Sequence, residues 1–365
     1  MSVFDRFAGH EQVLFTACEA SGLKCLIAVH STALGPALGG TRFLPYASET
    51  RALDDALRLS QAMTYKAACA GLDIGGGKGI VIGDPARLKT EAVLRGYGQA
   101  VESLGGRYIA ACDMGTTPAD LAVVGRETRW ARGTEPVEGG SGDSAVMTAY
   151  GLYLGIKACL LHRDGSDVLA GRHIAVDGVG KVGRRLAALL HDDGAQLYVG
   201  DIDAAAAERA ADAYDAVALE PEKLYGLDVD VLSPNSVGGV LNDASIPDLR
   251  CRIVAGAANN QLAAARHAQA LADRDILYAP DFVVNAGGLI QVVDELHEGG
   301  PVAERARARV RAIPDRLLEI FARSAAEGIS TERAAELLAE ERLRSIGALR
   351  SFWQPFRTAR RHGGR

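Results

Sequence analysis

Four absences bound this sequence before any motif is read. No apolar run approaches the roughly 18 residues that a membrane span needs, so no membrane partner is expected. The opening MSVFDRFAGHEQ carries charges where a secretory signal needs its apolar segment, and residence in the cytoplasm is the simplest expectation. None of the six cysteines (Cys18, Cys25, Cys69, Cys112, Cys159, Cys251) stands in a CxxC pair. Scattered through apolar stretches, they suit reduced thiols packed as small hydrophobes better than disulfides or zinc ligands, and no metal site is expected. Of the six, only Cys112, next to Asp113, stands where a thiol could line a site. Positive net charge is missing as well: the balance of −6 argues against nucleic acid as the main partner. The last sixteen residues, RSFWQPFRTARRHGGR, hold five arginines and no acid, and read as a solvated tail with Trp353 and Phe356 against the body.

What is present suits an ordinary globular protein. At 365 residues, 48% hydrophobic and 24% charged, the chain is long enough for two domains that each bury a core. Apolar, β-branched segments at 11–18 and 23–31 read as strands, with Ser21-Gly22 as the turn between them. Ser48 is placed to cap a helix running to about Ala70, with Leu53, Ala56 and Leu57 inward and Lys66 near its end. A strand is expected at 79–84, a helix near 89–104 and a strand at 107–112, after which Thr117 caps a helix that begins with Pro118. Asp113 is therefore not that helix's cap. GTEPVEGGSGDS (133–144) reads as a hinge. Beyond it, helices near 145–163 and 180–190 alternate with strands at 173–178, 196–201, 229–233, 251–256 and 276–280, the pattern of a parallel doubly wound sheet. Two helical stretches close the chain, at 301–327 and 331–346.

Residues 178–183, GVGKVG, match G-x-G-x-x-G between an apolar strand and an amphipathic helix. Gly178 permits the tight turn, Gly180 lets backbone approach a pyrophosphate, and Gly183 allows close helix–strand packing, with phosphates facing the helix N-terminus. Asp201 ends the next strand twenty-one residues after Gly180, where a carboxylate accepts ribose hydroxyls and repels a 2′-phosphate, so NAD is favoured over NADP.

The stretch GLDIGGGKG (71–79) spends glycines in a row and ends near Lys78. It is not a P-loop: five residues separate Gly71 from Gly77, and Gly79 rather than Ser or Thr follows the lysine. The glycines read as a loop where backbone approaches a ligand, with Lys78 at the edge of a cleft. Lys66 lies on the other side of it, so the two ammonium groups are placed to lower each other's pKa, leaving one as a general base and the other as a carboxylate anchor. Asp113, at a strand's C-terminal end, is placed to exchange a proton with a substrate.

The segments GPALGGTRF (35–43), MTYKAACAGLDIGGGKGIVIGDP (63–85), CDMGTTPADL (112–121), GVGKVG, AGAANNQL (255–262) and YAPDFVVNAGGLIQVVDEL (278–296) stand in order over nearly the whole chain. Through them the sequence resembles the amino acid dehydrogenases acting on glutamate, leucine, valine and phenylalanine, and most closely the leucine/valine/phenylalanine branch. The resemblance implies an α/β protein in two domains separated by a cleft. A substrate and oligomerisation domain would span about 1–135, with a C-terminal helix near 345–365 packing back on it, and a Rossmann-type NAD domain about 145–340. It implies NAD-dependent oxidative deamination of an L-amino acid to its 2-oxo acid and ammonia, reversibly, in a homo-oligomer.

The same resemblance implies the residue roles. Lys66 would bind the α-carboxylate, Lys78 would activate the water that attacks the imine carbon, and Asp113 would shuttle protons to and from the amino group. Gly39, Gly40 and Asn260 would touch substrate. The cofactor would meet Gly178, Gly180, Lys181, Val182, Gly183 and Asp201, together with Thr148, Ala257, Asn259 and Asn285. Leu38, Ala111, Leu289 and Val292 would form the side-chain pocket. Leu38 stands where glutamate dehydrogenases carry a lysine, and an unpaired buried carboxylate costs several kcal/mol, so glutamate is disfavoured. An all-apolar pocket containing Leu289 points to valine or leucine, with phenylalanine or another aromatic as the alternative. A non-catalytic NAD-binding sensor or scaffold is the reading from another class. Two departures from the family pattern stand out: the hinge lacks prolines before Thr148, and Asn235-Ser236 replace an expected Cys-Ala near the cofactor.

Overall fold

The computed structural model describes residues 4–7, 9–136 and 139–349. The chain divides into two compact units, one holding residues up to 142, 292–303 and 339 onward, the other 143–291 and 304–338. The expectations for a helix near 345–365 and for Trp353 and Phe356 lie largely outside the described residues.

The first unit begins with strands β1 (Gln12–Cys18), β2 (Leu23–Ser31) and β3 (Ala37–Leu44). Helix α1 (Glu49–Cys69) follows, then β4 (Gly75–Ile82), α2 (Pro85–Leu88), α3 (Glu91–Ser103), β5 (Tyr108–Cys112) and α4 (Pro118–Val124). Its sheet order is β1-β2-β4-β3-β5. The β1–β2 and β2–β4 pairs are antiparallel, and β3 runs parallel to both β4 and β5. Ser48 Oγ accepts from Arg51 N to start α1, and Thr117 with Asp120 forms a reciprocal capping box at α4, with Pro118 beginning the helix.

Here the structure corrects one expectation. Gly75, Gly76 and Gly77 form not a loop but the first half of β4, and none of them takes positive φ. The central strand is covered so closely on both faces that side chains do not fit. A Cβ at Gly76 would overlap the Thr64 backbone N and the Ser60 carbonyl of α1, and one at Gly77 would stand 2.6 Å from the Tyr108 ring.

The second unit runs α5 (Ala145–Asp164), β6 (His173–Asp177), α6 (Lys181–Asp192), β7 (Gln196–Gly200), α7 (Ala204–Tyr214), β8 (Val217–Ala218) and α8 (Pro221–Leu224). It continues with β9 (Val231–Pro234), β10 (Ile253–Val254), α9 (Arg266–Ala272), β11 (Leu277–Tyr278) and α10 (Asp281–Val284). The boundary between units falls inside α11 (Gly287–Asp294), after the first residue of α12 (Ala303–Val310) and inside α14 (Thr331–Gly347), while α13 (Ile313–Glu327) belongs to the second unit. All strand pairs are parallel, in the order β11-β10-β9-β6-β7-β8. This is the doubly wound arrangement of a dinucleotide-binding fold, whose order reverses between β6 and β9.

Three further expectations shift. Strands β10 and β11 are shorter than predicted, and β8 went unpredicted. The helical stretch 301–327 is two helices, because Pro314 lacks an N–H and is tolerated in the first turn of a helix but not in its interior. The 20-residue α5 is long and apolar enough to cross a membrane by length and composition, contrary to the expectation from apolar runs. Its buried residues place it in the core of the second unit: Gly151 lies against Val310 and Ile313, and Gly155 against Val284 and Leu317.

Candidate active site

Register and alternation bring together the candidate residues of the first unit. Leu38 on β3 pairs with Gly76 on β4, and Gly40 on β3 pairs with Ala111 on β5. Because side chains alternate along a strand, Leu38, Gly40, Arg42, Gly76, Lys78 and Ala111 all belong to one face of the sheet. Helix α1 covers that face, with Ala52, Leu53, Ala56 and Leu57 packed around Ile80. Lys66, half-buried, follows Thr64 by two residues on this helix.

Charge concentrates at the C-terminal end of β5. Lys78, only 5% exposed, donates through Nζ to Asp113 Oδ2. Arg42 Nε donates to the same oxygen at 3.0 Å, and Arg42 Nη1 donates to Asp55 Oδ2 at 2.9 Å. Tyr46 OH donates to that Asp55 oxygen at 2.6 Å, and Arg58 to the other at 2.9 Å. Burial lowers the Lys78 ammonium below the ordinary lysine range; the Asp113 charge opposes this and the Arg42 charge adds to it. Burial alone would raise Asp113, yet Lys78 and Arg42 together hold it down at about 2. The cation acting most strongly on Lys78 is thus Arg42, whereas the sequence reading assigned that influence to Lys66. Arg42 stood in plain view within GPALGGTRF, two residues beyond Gly40 and so on the Lys78 face.

The neighbouring glycines clear space. A Cβ at Gly40 would stand 2.7 Å from the Asp113 Cβ, and one at Gly39 would overlap the Gly77 carbonyl. Tyr108 OH, from the opposite face, donates to Gly39 O at 2.8 Å and fixes that strand. The Cys112 thiol is pushed up to about 12 by burial and stays protonated, which removes it as a nucleophile.

The second unit carries its own group of candidate residues. Gly178 takes φ +88°, as a tight turn requires, and a Cβ at Gly183 would overlap the Gly178 carbonyl. At Gly180 the Cβ direction meets open space, and no side chain caps the N-terminus of α6, where Lys181 and Val182 make the first turn. Asp201 is oriented by backbone: Oδ2 accepts from Val179 N at 2.9 Å and Oδ1 from Asp203 N at 3.0 Å. Gly178, Gly180, Asp201, Asn235 and Ser236 line a cavity of about 1060 Å³ at the C-terminal edge of the sheet, where the strand order reverses. The open approach at Gly180, the uncapped helix and the fixed carboxylate fit a dinucleotide.

Farther along the same edge, Asn285 Nδ2 donates to Ala257 O and to Asn259 Oδ1, each at 3.0 Å, while Asn285 Oδ1 is buried without a partner. An orphaned buried acceptor suits a ligand amide. Asn260 takes φ +55° in the loop between. Thr148 Oγ1 donates to Ser144 O at 3.0 Å and faces Gly288. Leu289 is buried and Val292 half-buried on α11.

Residues 10–130 match the family described as Glu/Leu/Phe/Val dehydrogenase, dimerisation domain, and residues 199–339 match Glutamate/Leucine/Phenylalanine/Valine dehydrogenase. The chain is 49% identical to valine dehydrogenase of Streptomyces virginiae over 338 residues, covering 92% of this chain and 94% of that one. It is 46% identical to leucine dehydrogenase of Geobacillus stearothermophilus over 342 residues, 94% and 93% of the two chains. Among solved structures, L-tryptophan dehydrogenase from Nostoc punctiforme superposes with a TM-score of 0.82 at 45% identity, covering 95% of this chain and 98% of that one.

Proposed function

The chain belongs to the glutamate/leucine/phenylalanine/valine dehydrogenase family, an oxidoreductase acting on CH–NH2 groups, and from that premise we propose an NAD-dependent dehydrogenase of branched-chain L-amino acids. The observation that carries the catalytic part is the buried Lys78–Asp113 pair with Arg42 on the same carboxylate oxygen.

In this reading Lys66 holds the substrate α-carboxylate. Asp113, ionised because two cations hold it so, accepts a proton as the amino group becomes an imine. A dinucleotide held at Gly178, Gly180, Asp201 and Asn285 would supply the acceptor for the hydride at the substrate Cα, and its donor in the reverse direction. Lys78, lowered toward neutrality by burial, takes a proton from the water that adds to the imine carbon, and loss of ammonia leaves the 2-oxo acid. Water, amino acid and oxidised cofactor thus give oxo acid, ammonia, reduced cofactor and a proton. Gly39, Gly40 and Asn260 border the substrate, and the Asn285 Oδ1 that lacks a partner receives the carboxamide. Asp201 takes the ribose hydroxyls, which is the reason for naming NAD over NADP.

Leu38 and Ala111 share the Lys78 face and offer a side chain only apolar surface, and Leu289 and Val292 are assigned to the same pocket. Aliphatic valine or leucine suits this chemistry, and glutamate does not. The tryptophan dehydrogenase likeness at 45% identity favours an aromatic substrate as the second reading. Association of copies through the first unit is proposed on its match to a dimerisation domain. Rates of NADH formation from valine, leucine, phenylalanine, tryptophan and glutamate, with NAD and with NADP, test the reading.

A further inference from the structure

Asn235 and Ser236, which stand where the resemblance led to an expected Cys-Ala, are answered by Asp177, the last residue of β6. Asp177 is 3% exposed, and its Oδ2 accepts from Ser236 Oγ at 2.7 Å and from Tyr225 OH at 2.9 Å. The Asn235 backbone N donates to Asp177 O at 2.6 Å. The Asn235 side chain turns the other way: Oδ1 accepts from Ala257 N at 3.0 Å, and Nδ2 donates to Ser233 O at 2.8 Å. The turns are in direct contact, since a Cβ at Gly178 would stand 2.8 Å from Ser236 N. A Cys-Ala pair makes neither the amide bond to Ala257 nor the hydroxyl bond to Asp177. Burial raises the Asp177 carboxyl; the Ser236 and Tyr225 hydroxyls oppose that rise, while Asp201 and Glu222 reinforce it.

We propose that Asp177, Asn235 and Ser236 are positioning residues for the dinucleotide, tying the phosphate turn at Gly178 to the loop that begins at Ala257. The turn after β6 meets the phosphates and ribose, and the Ala257 loop meets the nicotinamide end through Asn259 and Asn285. A hydrogen-bonded path from Asp177 through Ser236 and Asn235 to Ala257 sets the spacing of these two contacts before the cofactor arrives. Such preorganisation is worth affinity because ordering does not have to be done on binding. The inference rests on the dinucleotide reading above.

The test uses the full chain. NADH affinity is measured by fluorescence titration, melting temperature without cofactor, and KM and kcat for NAD, for wild type, Ser236→Ala, Asp177→Asn and the double variant. Ser236→Ala weakens NADH binding about tenfold by leaving a buried carboxylate short of a donor, and the loss falls on the KM for NAD rather than on kcat. Adding Asp177→Asn recovers much of that affinity, because the neutral amide removes the unmet charge. Asn235→Cys weakens NADH binding by the separate loss of the Ala257 bond. Unchanged NADH affinity in Ser236→Ala overturns the proposal. So does a loss that Asp177→Asn does not relieve and that follows the fall in cofactor-free melting temperature, the sign of a merely structural role. Wild-type protein that binds neither NAD nor NADH overturns the dinucleotide reading itself, and this inference with it.

Discussion

Arg42 Nε stands 3.0 Å from Asp113 Oδ2, the oxygen that also accepts from Lys78 Nζ. One carboxylate oxygen therefore holds two cations, and the two are drawn close enough that the arginine charge disfavours the ammonium. Arginine keeps its charge at every working pH, so the burden falls on Lys78.

Removing that arginine moves the pH profile. Arg42→Gln relieves Lys78 of a neighbouring positive charge, its pKa rises, and the neutral amine is reached at higher pH. The acid-side limb of kcat/KM for deamination is expected to move upward by about one pH unit. A profile that stays in place, or moves downward, denies Arg42 this influence.

The two lysines are expected to separate in kinetics. Lys78→Ala lowers kcat by about 10²–10⁴-fold and leaves the NADH dissociation constant unchanged, as loss of a proton-transfer group demands. Lys66→Ala acts first on the KM for the amino acid. Equal effects of the two substitutions on both constants would contradict their assigned roles.

Asp113 gives the fold an acid-sensitive term of known sign. Its folded pKa of about 2 lies below the ordinary aspartate value, so the ion pairs stabilise the protein above about pH 4. That contribution, on the order of 2 kcal/mol, is lost as pH falls from there through about 2. Acid unfolding of Asp113→Asn, followed by circular dichroism, should lack this component. An acid transition identical to wild type would show that Asp113 is not held as described.

Gly76 is a packing requirement rather than a flexible joint. Gly76→Ala pushes a methyl into the backbone of α1 at Ser60 and Thr64, and urea unfolding should report a loss of at least ~2 kcal/mol. A variant as stable as wild type would mean that α1 and β4 separate easily.

Local signals were legible in the sequence, and packing was not. Ser48, Thr117 with Pro118, and the glycines of 178–183 act within a few residues, so their elements stand where they were predicted. Asp201 was legible because a strand fixes its distance from Gly180. The glycines of β4 misled because their cause lies in α1 and Tyr108, which no short window contains. The chain from Tyr46 through Asp55 and Arg42 to Asp113 was equally hidden. It exists only once β3 and α1 are brought together, although Arg42 lies in a motif already noted. The Asp177–Ser236 bond joins residues 59 positions apart, and the sequence offered only the oddity of Asn235-Ser236.

The most direct test of the account is NADH formation at alkaline pH by the wild-type chain with NAD and a panel of L-amino acids. The account predicts the highest kcat/KM for valine or leucine, with glutamate near background and NADP a poor substitute for NAD. Silence with every amino acid, or a preference for glutamate, would contradict it.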